Sequence, residues 1–337
     1  MMRQDGTKEK NCFSVIIPAY NAERTLAACL EALTCQSVSG NDYEIILVDD
    51  GSTDGTSIIA KNFNVNYVFQ TNQGPAAARN RGVRIAAGDI ILFTDSDCIP
   101  EYNWMEEMVR PFINPAVIGV KGAYKTRQKE LAARFVQAEF EDRYRLLQKH
   151  SFIDMVDTYS ASFKKDVFLK IGGFDVSFPV ANNEDTDLSY RLSTAGYGLI
   201  FNPKAFVYHI HPNTFIKYLK LKFWRGFWRS VVYRRYPEKA LKDSYTPAVI
   251  KIQTVLMAFS LVLMPAMVFL PRLTEVILFL WGAIIFSSLP FSLSIFHKDR
   301  IVGLISPGVI LLRSMVFAVG SVLGILRELS FSLTRSN

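Results

Sequence analysis

Four short apolar runs, each followed by a polar turn and an amphipathic stretch, set the rhythm of the first hundred residues. Residues 14–18, 43–48, 66–70 and 90–93 are rich in β-branched and aromatic side chains and read as buried strands. The spacing predicts helices between them, over residues 24–33 with Leu26, Leu30 and Leu33 on one stripe, over 57–63, and over a stretch opened by Gly74-Pro75 that carries Ala76 to Arg81. A β-α-β-α-β-α-β alternation predicts a parallel sheet covered on both faces. After Pro100 come an edge segment and a long helix over 129–150, with Leu131, Phe135, Ala138, Tyr144 and Leu147 at helical spacing and no chemistry assigned to it. A strand and turn at 158–165, an acid-headed helix beginning near Asn182, and two short strands at 198–201 and 205–208 complete this part.

The pattern changes after Pro247. Residues 249–270, 273–296 and 301–326 are apolar blocks, each long enough to cross roughly 30 Å of hydrocarbon. Just before them, residues 214–236 interleave aromatics with Lys and Arg, a composition suited to the lipid headgroup layer. Stacking on nucleic acid is the competing reading, and it loses because apolar spans follow directly. Basic residues before the first block and in the loop 297–300 predict that both lie on the cytoplasmic side of a cell (inner) membrane. Arg313, beside Pro307 and Gly308, predicts a broken or re-entrant third segment. Gly320 and Gly324 form a G-x-x-x-G that permits close helix contact, within the chain or in a homo-oligomer. The expected organisation is a tail at 1–12, an α/β domain at 13–212, an interfacial segment at 213–245, a membrane region of three helices at 246–328 and a tail at 329–337.

Composition sharpens this in three ways. Half the residues are hydrophobic and the mean hydropathy is +0.15, high for a soluble chain of 337 residues. The net charge of +7 has its clearest clusters between Lys217 and Lys242, which points to anionic lipid. Cys12, Cys29, Cys35 and Cys98 show no C-x-x-C spacing and are expected to be reduced thiols, and residues 1–11 have no apolar core of a cleaved signal peptide.

The chemistry sits at strand ends. Asp95 and Asp97 follow the fourth strand, and alternate residues of an extended segment face one way, so the pair can converge on a hard divalent cation such as Mg2+ or Mn2+. No G-x-G-x-x-G follows the first strand and no G-x-x-x-x-G-K-[ST] occurs, which removes the dinucleotide and P-loop readings. What remains is a rim of Tyr20, Asn21, Asp50, Ser52, Arg79, Asp95 and Asp97. An aromatic, a carboxylate, a cation and a metal site together suit a nucleotide diphosphate. Three acids in four residues, Glu184, Asp185 and Asp187, exceed what a helix N-terminus needs. His209 and His211 alternate on a strand, so one of them is a candidate for completing the metal shell.

In this order and spacing, Ser-Val-Ile-Ile-Pro-Ala-Tyr-Asn ending at Asn21, Val-Asp-Asp-Gly-Ser-Thr-Asp ending at Asp54, Asn-Gln-Gly-Pro-Ala-Ala-Ala-Arg-Asn ending at Asn80, and Thr-Asp-Ser-Asp ending at Asp97 resemble the blocks of family 2 glycosyltransferases with the GT-A fold. The resemblance covers residues 13 to about 212. It implies a nucleotide-diphospho-sugar donor held by Pro18, Tyr20, Asn21, Glu23, Asp50, Ser52, Gly74, Arg79, Asp95 and Ser96, with Asp50 at the base and Tyr20 stacked near it. It implies a metal on Asp97 with Asp95 nearby, a general base from the Glu184-Asp185 pair with Asp185 preferred, and an acceptor side at Gly173, Phe174 and Asp175. Inversion at the anomeric carbon and a lipid-linked or glycan acceptor follow as expectations. A processive synthase is the alternative within the class, disfavoured because only Phe223-Trp224-Arg225-Gly226 stands where such enzymes carry Gln-x-x-Arg-Trp. A non-catalytic sugar-nucleotide-binding scaffold is the alternative outside it.

Overall fold

The computed structural model describes residues 13–40, 42–178 and 183–335. The expected tail at 1–12, with Cys12, and Asn182 lie outside them. The chain divides into two units, residues 1–127 with 147–210 and residues 128–146 with 211–337.

The first unit is built on strands β1 (Phe13–Ala19), β2 (Tyr43–Asp50), β3 (Asn66–Gln70), β4 (Ile90–Thr94), β5 (Cys98–Pro100), β6 (Val117–Lys125), β7 (Ser160–Lys164) and β8 (Gly198–His209). Helices α1 (Leu26–Thr34), α2 (Thr56–Ala60), α3 (Pro75–Ile85) and α4 (Trp104–Val109) separate the early strands, and α6 (Lys165–Lys170) and α7 (Glu184–Thr194) follow β7. One sheet runs β3-β2-β1-β4-β7-β6-β8-β5. Its first four strands are parallel, and Val15, Ile16, Ile17, Ile46, Leu47, Leu92 and Phe93 are fully buried because both faces are covered. Phe93 anchors an aromatic cluster with Phe163, Phe168 and Phe174.

Beyond β4 the expected parallel sheet becomes a mixed one. β7 runs antiparallel to both β4 and β6, and β5 is antiparallel to β8. Parallel neighbours need a crossover element, and a single crossover does not join β4 to β7, so alternation no longer fixes direction. The two short strands expected near 198–208 are one strand, β8, whose register to β6 jumps from Lys121↔Phe201 to Ala123↔Phe206. Residues 202–205 loop out, and Gly122 leaves room for them: a Cβ there would collide with the Ala205 carbonyl and the Ser160 side chain.

The second unit is helical: α5 (Leu131–Leu147), α8 (Phe215–Arg235), α9 (Pro237–Leu241), α10 (Ala248–Leu263), α11 (Leu273–Phe296) and α12 (Arg300–Arg335). Among the described residues, three helical stretches, Ala248–Val268, Leu273–Phe296 and Arg300–Arg327, are long and apolar enough to cross a membrane. The predicted break in the third does not occur. α12 is continuous through Pro307, and Arg313 points into protein, donating to Glu139 Oε1 of α5 at 2.8 Å and to Gln253 Oε1 of α10 at 2.5 Å. Glu139 also takes Lys222 of α8 at 2.8 Å and the Tyr218 hydroxyl at 3.0 Å. Burial pushes the Glu139 carboxyl up, but Lys222 and Arg313 outweigh it and hold it at about 2. The glycines of the G-x-x-x-G are taken up inside the chain: side chains at Gly320 and Gly324 would strike the α8 backbone at Phe223 and Phe227, and one at Gly226 would strike α12 at Phe317.

Glu139→Gln is expected to destabilise this unit by about 3 kcal/mol, because it leaves two buried cations sharing no carboxylate. Thermal unfolding of the purified full chain in detergent reads it, and an unchanged Tm would refute the network's structural role.

Candidate active site

The ends of β1 and β2 are laced together before any ligand is considered. The Asn21 N–H donates to Ser52 Oγ at 2.9 Å, and Asn21 Oδ1 accepts from the Thr53 N–H at 2.9 Å. The Glu23 N–H donates to Asp54 at 3.1 Å, while Glu23 Oε2 accepts from the Gly55 N–H at 3.2 Å. Asn21 stands at φ 50°, in the left-handed region that asparagine tolerates better than most residues. Of the residues expected on the donor side here, Asn21, Glu23 and Ser52 therefore shape the loops, Pro18 is half-buried in β1 opposite Val48, and Tyr20 presents its ring to solvent at 55% exposure.

Asp50, expected at the base, is held by its own loop. It is 3% exposed, Oδ1 accepts from Gln70 Nε2 at 2.7 Å and from the Gln73 N–H at 2.9 Å, and Oδ2 accepts from the Gly74 N–H at 2.8 Å. A ligand atom would have to share the carboxylate with these donors, and its visible work is to fix the loop that opens α3. Asp49, one residue earlier, is buried and caps its own turn through the Ser52 N–H at 2.8 Å and Tyr67 at 2.7 Å.

Arg79, expected at the donor phosphates, is instead buried between two acidic clusters. One terminal nitrogen donates to Asp95 Oδ1 at 2.7 Å and the other to Glu184 Oε1 at 3.1 Å, residues 105 positions apart in the second case. Burial alone would lower its pKa, but Asp95 and Glu184 outweigh that and leave it raised. This guanidinium is what brings the β4 acids and the head of α7 to one place. Four buried polar atoms, Arg79 Nε, Thr94 Oγ1, Asn183 Nδ2 and Glu184 Oε2, have no hydrogen-bond partner among the described residues, and by chain position all belong to this junction.

The three acids of α7 separate by role. Asp187 is buried and paired with Arg191 at 2.9 Å, so it is structural. Glu184 is buried against Arg79, and burial first, then the charge of Asp185, push its carboxyl up to about 7 against the pull of Arg79. Asp185 is half-buried and uses Oδ1 to accept from the Thr186 N–H at 2.7 Å. Among the described residues it is the one of the three outside an ion pair, although its charge adds to those that raise Arg79. Asn183, at φ 66°, sets the entry to this helix.

Asp97 is 43% exposed and lies 3.3 Å from His209 Nε2. Burial pulls its pKa up, yet the hydrogen bond and charge of His209 leave it lowered. Asp97, Cys98 and His209 form a candidate metal cluster, with ligand atoms within 4.8 Å of one another. The carboxylate and imidazole suit Mg2+ or Mn2+, whereas the Cys98 sulfur is a soft, buried donor that such ions do not select. Asp95 contributes less directly than expected, since its Oδ1 is held by Arg79, and Ser96 is half-buried in the intervening turn. β8 ends at His209, and His211 belongs to the second unit. There its N–H donates to Gln128 Oε1 at 2.6 Å and its Nε2 lies 3.0 Å from Gln137 Oε1.

The residues expected on the acceptor side are held by their neighbours. Phe174 is buried under Phe93 and Arg79, a side chain at Gly173 would meet Asn80, and Asp175 Oδ1 caps a turn through the Ser177 N–H at 2.8 Å. Sequence reasoning missed the aromatic support of His209, whose ring stacks on Tyr124 at 4.5 Å, because nothing in the local sequence marks Tyr124 as more than a strand residue.

Residues 14–172 match the model of glycosyl transferase family 2. The chain is 30% identical over 194 residues to Glycosyltransferase AglE of Haloferax volcanii, covering 56% of this chain and 63% of that one. It is 28% identical over 242 residues to Probable glycosyltransferase YdaM of Bacillus subtilis, covering 67% and 55%. The chain thus spans about half to two thirds the length of the curated relatives it matches. Among solved structures, the mannosyltransferase PcManGT from Pyrobaculum calidifontis, in complex with GDP-Man and Mn2+, superposes with a TM-score of 0.61 at 19% identity, over 93% of this chain and 87% of that one. The mixed sheet is therefore the GT-A arrangement.

Proposed function

From the premise that residues 14–172 form a glycosyl transferase family 2 domain, we propose that the protein is a membrane-anchored, metal-dependent, inverting glycosyltransferase. It moves a sugar from a nucleotide-diphosphate donor to a lipid-linked or polysaccharide acceptor. The observation that carries the reading is Arg79, which ties Asp95 of the β4 acids to Glu184 beside Asp185. A donor-side acid and an acceptor-side acid are then parts of one rigid junction.

In this reading Tyr20 supplies a platform for the base, and the loop fixed by Asp50 closes around it. Asp97 and His209 hold the divalent cation, which when bound neutralises charge on the departing diphosphate. Asp185 accepts the proton of the acceptor hydroxyl as that oxygen attacks the anomeric carbon from the face opposite the leaving group. One displacement inverts that carbon. Glu184, held by Arg79, fixes the start of α7 and so the reach of Asp185.

The three apolar helices support a multi-pass anchor, and the basic residues ahead of α10 and in the loop before α12 support a cytoplasmic active site. An anchor in the same chain favours an acceptor carried on lipid. The test is transfer: purified full-length protein with labelled nucleotide sugars and a host lipid extract should glycosylate a lipid fraction, stop with EDTA and resume with Mn2+ or Mg2+, and Asp97→Ala should not resume. Binding of a nucleotide sugar with no transfer to any acceptor would favour the scaffold reading.

A further inference from the structure

Behind the Asp97–His209 pair lies a column of side chains that the proposed reaction does not use. The His209 ring stacks on Tyr124 with centroids 4.5 Å apart and planes 30° apart. Tyr124 stacks in turn on Tyr159, at 3.3 Å and 15°. Below Tyr159 sits Lys121, 0% exposed, whose ammonium is ion-paired with Asp157, lies 3.0 Å from the Tyr159 hydroxyl and stands 4.8 Å over its ring. The column runs from a fully buried cation to a partly open imidazole.

The column flanks the break in the β6–β8 register. Lys121 and Tyr124 are three residues apart, and a regular strand would send them to opposite faces. Both nevertheless reach Tyr159, from either side of the point where the register to β8 breaks and Gly122 makes room for the looped-out residues 202–205 of β8. A bulge of β8 beside a candidate site, together with a buried ion pair at the foot of the stack, is more structure than strand packing alone requires.

Resting on the reading that Asp97 and His209 hold the cation, we infer that Tyr124 is a positioning residue for that site: its ring, clamped from behind by Tyr159, Lys121 and Asp157, fixes the plane of the His209 imidazole toward Asp97. An imidazole binds a metal only with its ring nitrogen aimed along one direction, and groups that hold the ring contribute to affinity without touching the ion. Here one such restraint is a ring face.

The test uses full-length protein in detergent and Mn2+ alone, with bound ion read from loss of the free Mn2+ electron paramagnetic resonance signal. His209→Ala, Tyr124→Phe and Tyr124→Leu are compared with wild type and with Phe163→Leu, a sheet-core variant whose ring packs on Phe93 and Phe168 rather than in the column, each with its metal-free Tm. Tyr124→Leu is expected to weaken Mn2+ binding about tenfold. Tyr124→Phe, which keeps the face, should bind as wild type does, and Phe163→Leu should bind normally despite a lowered Tm. Tyr124→Met replaces the leucine variant if the latter does not fold.

Normal binding by Tyr124→Leu alongside weak binding by His209→Ala overturns the inference and leaves the metal reading intact. Weakening by Tyr124→Phe equal to that of leucine, or equal weakening by Phe163→Leu, also overturns it. Normal binding by His209→Ala, or none by wild type, overturns the metal reading itself.

Discussion

Asp185→Asn is expected to reduce sugar transfer by about 10²- to 10⁴-fold, the range a positioned general base supplies, while donor binding stays near wild type. The substitution keeps shape and keeps an oxygen to accept from the Thr186 N–H, so α7 should begin as before. What it removes is the ability to take a proton. It also removes a negative charge that helps push Glu184 up, so Glu184 should ionise more readily in the variant. Single-turnover transfer rates set beside nucleotide-sugar affinity by calorimetry separate the two effects. Equal loss of binding and turnover would mean that Asp185 belongs to the donor site, and full turnover would remove it from the reaction.

The second large effect is expected at Arg79. Arg79→Met leaves Asp95 and Glu184 without the cation they share, at a cost of about 3–5 kcal/mol for a buried charge stripped of its partner. Turnover should vanish even in the fraction that stays folded, because the head of α7 loses its tie to the β4 acids. Arg79→Lys should recover little, since separate terminal nitrogens of one guanidinium make the two contacts and a single ammonium cannot span them. Adding Glu184→Gln to Arg79→Met should restore part of the Tm but not the activity. A methionine variant with native Tm and native turnover would show that the junction does not matter.

Much of the first unit was legible because its strands are buried on both faces, which writes them as unbroken apolar runs such as residues 14–18 and 90–93. Asp95 and Asp97 stood out for the opposite reason, as charges at the end of such a run. The partnerships were not legible. Arg79 looks like a phosphate ligand until Glu184, 105 residues later, is seen to claim half of it. Asp50 is expected at the base, and Gln70 and the Gly74 N–H close on it. Gly173 and Phe174 are expected on the acceptor side, and the Phe174 ring packs edge-on against Phe93. In each case local sequence carries the residue type and a distant element decides its use.

The same holds for Arg313, whose charge argued for a broken helix while its partner Glu139 lay 174 residues upstream. That separation bears on biogenesis. Glu139 and Lys222 leave the ribosome long before Arg313 does, and the α8 face at Gly226 waits for α12 to arrive. The helical unit can therefore close only after Arg313 has been made, so a nascent chain halted earlier holds Glu139 with Lys222 alone and leaves that α8 face uncovered.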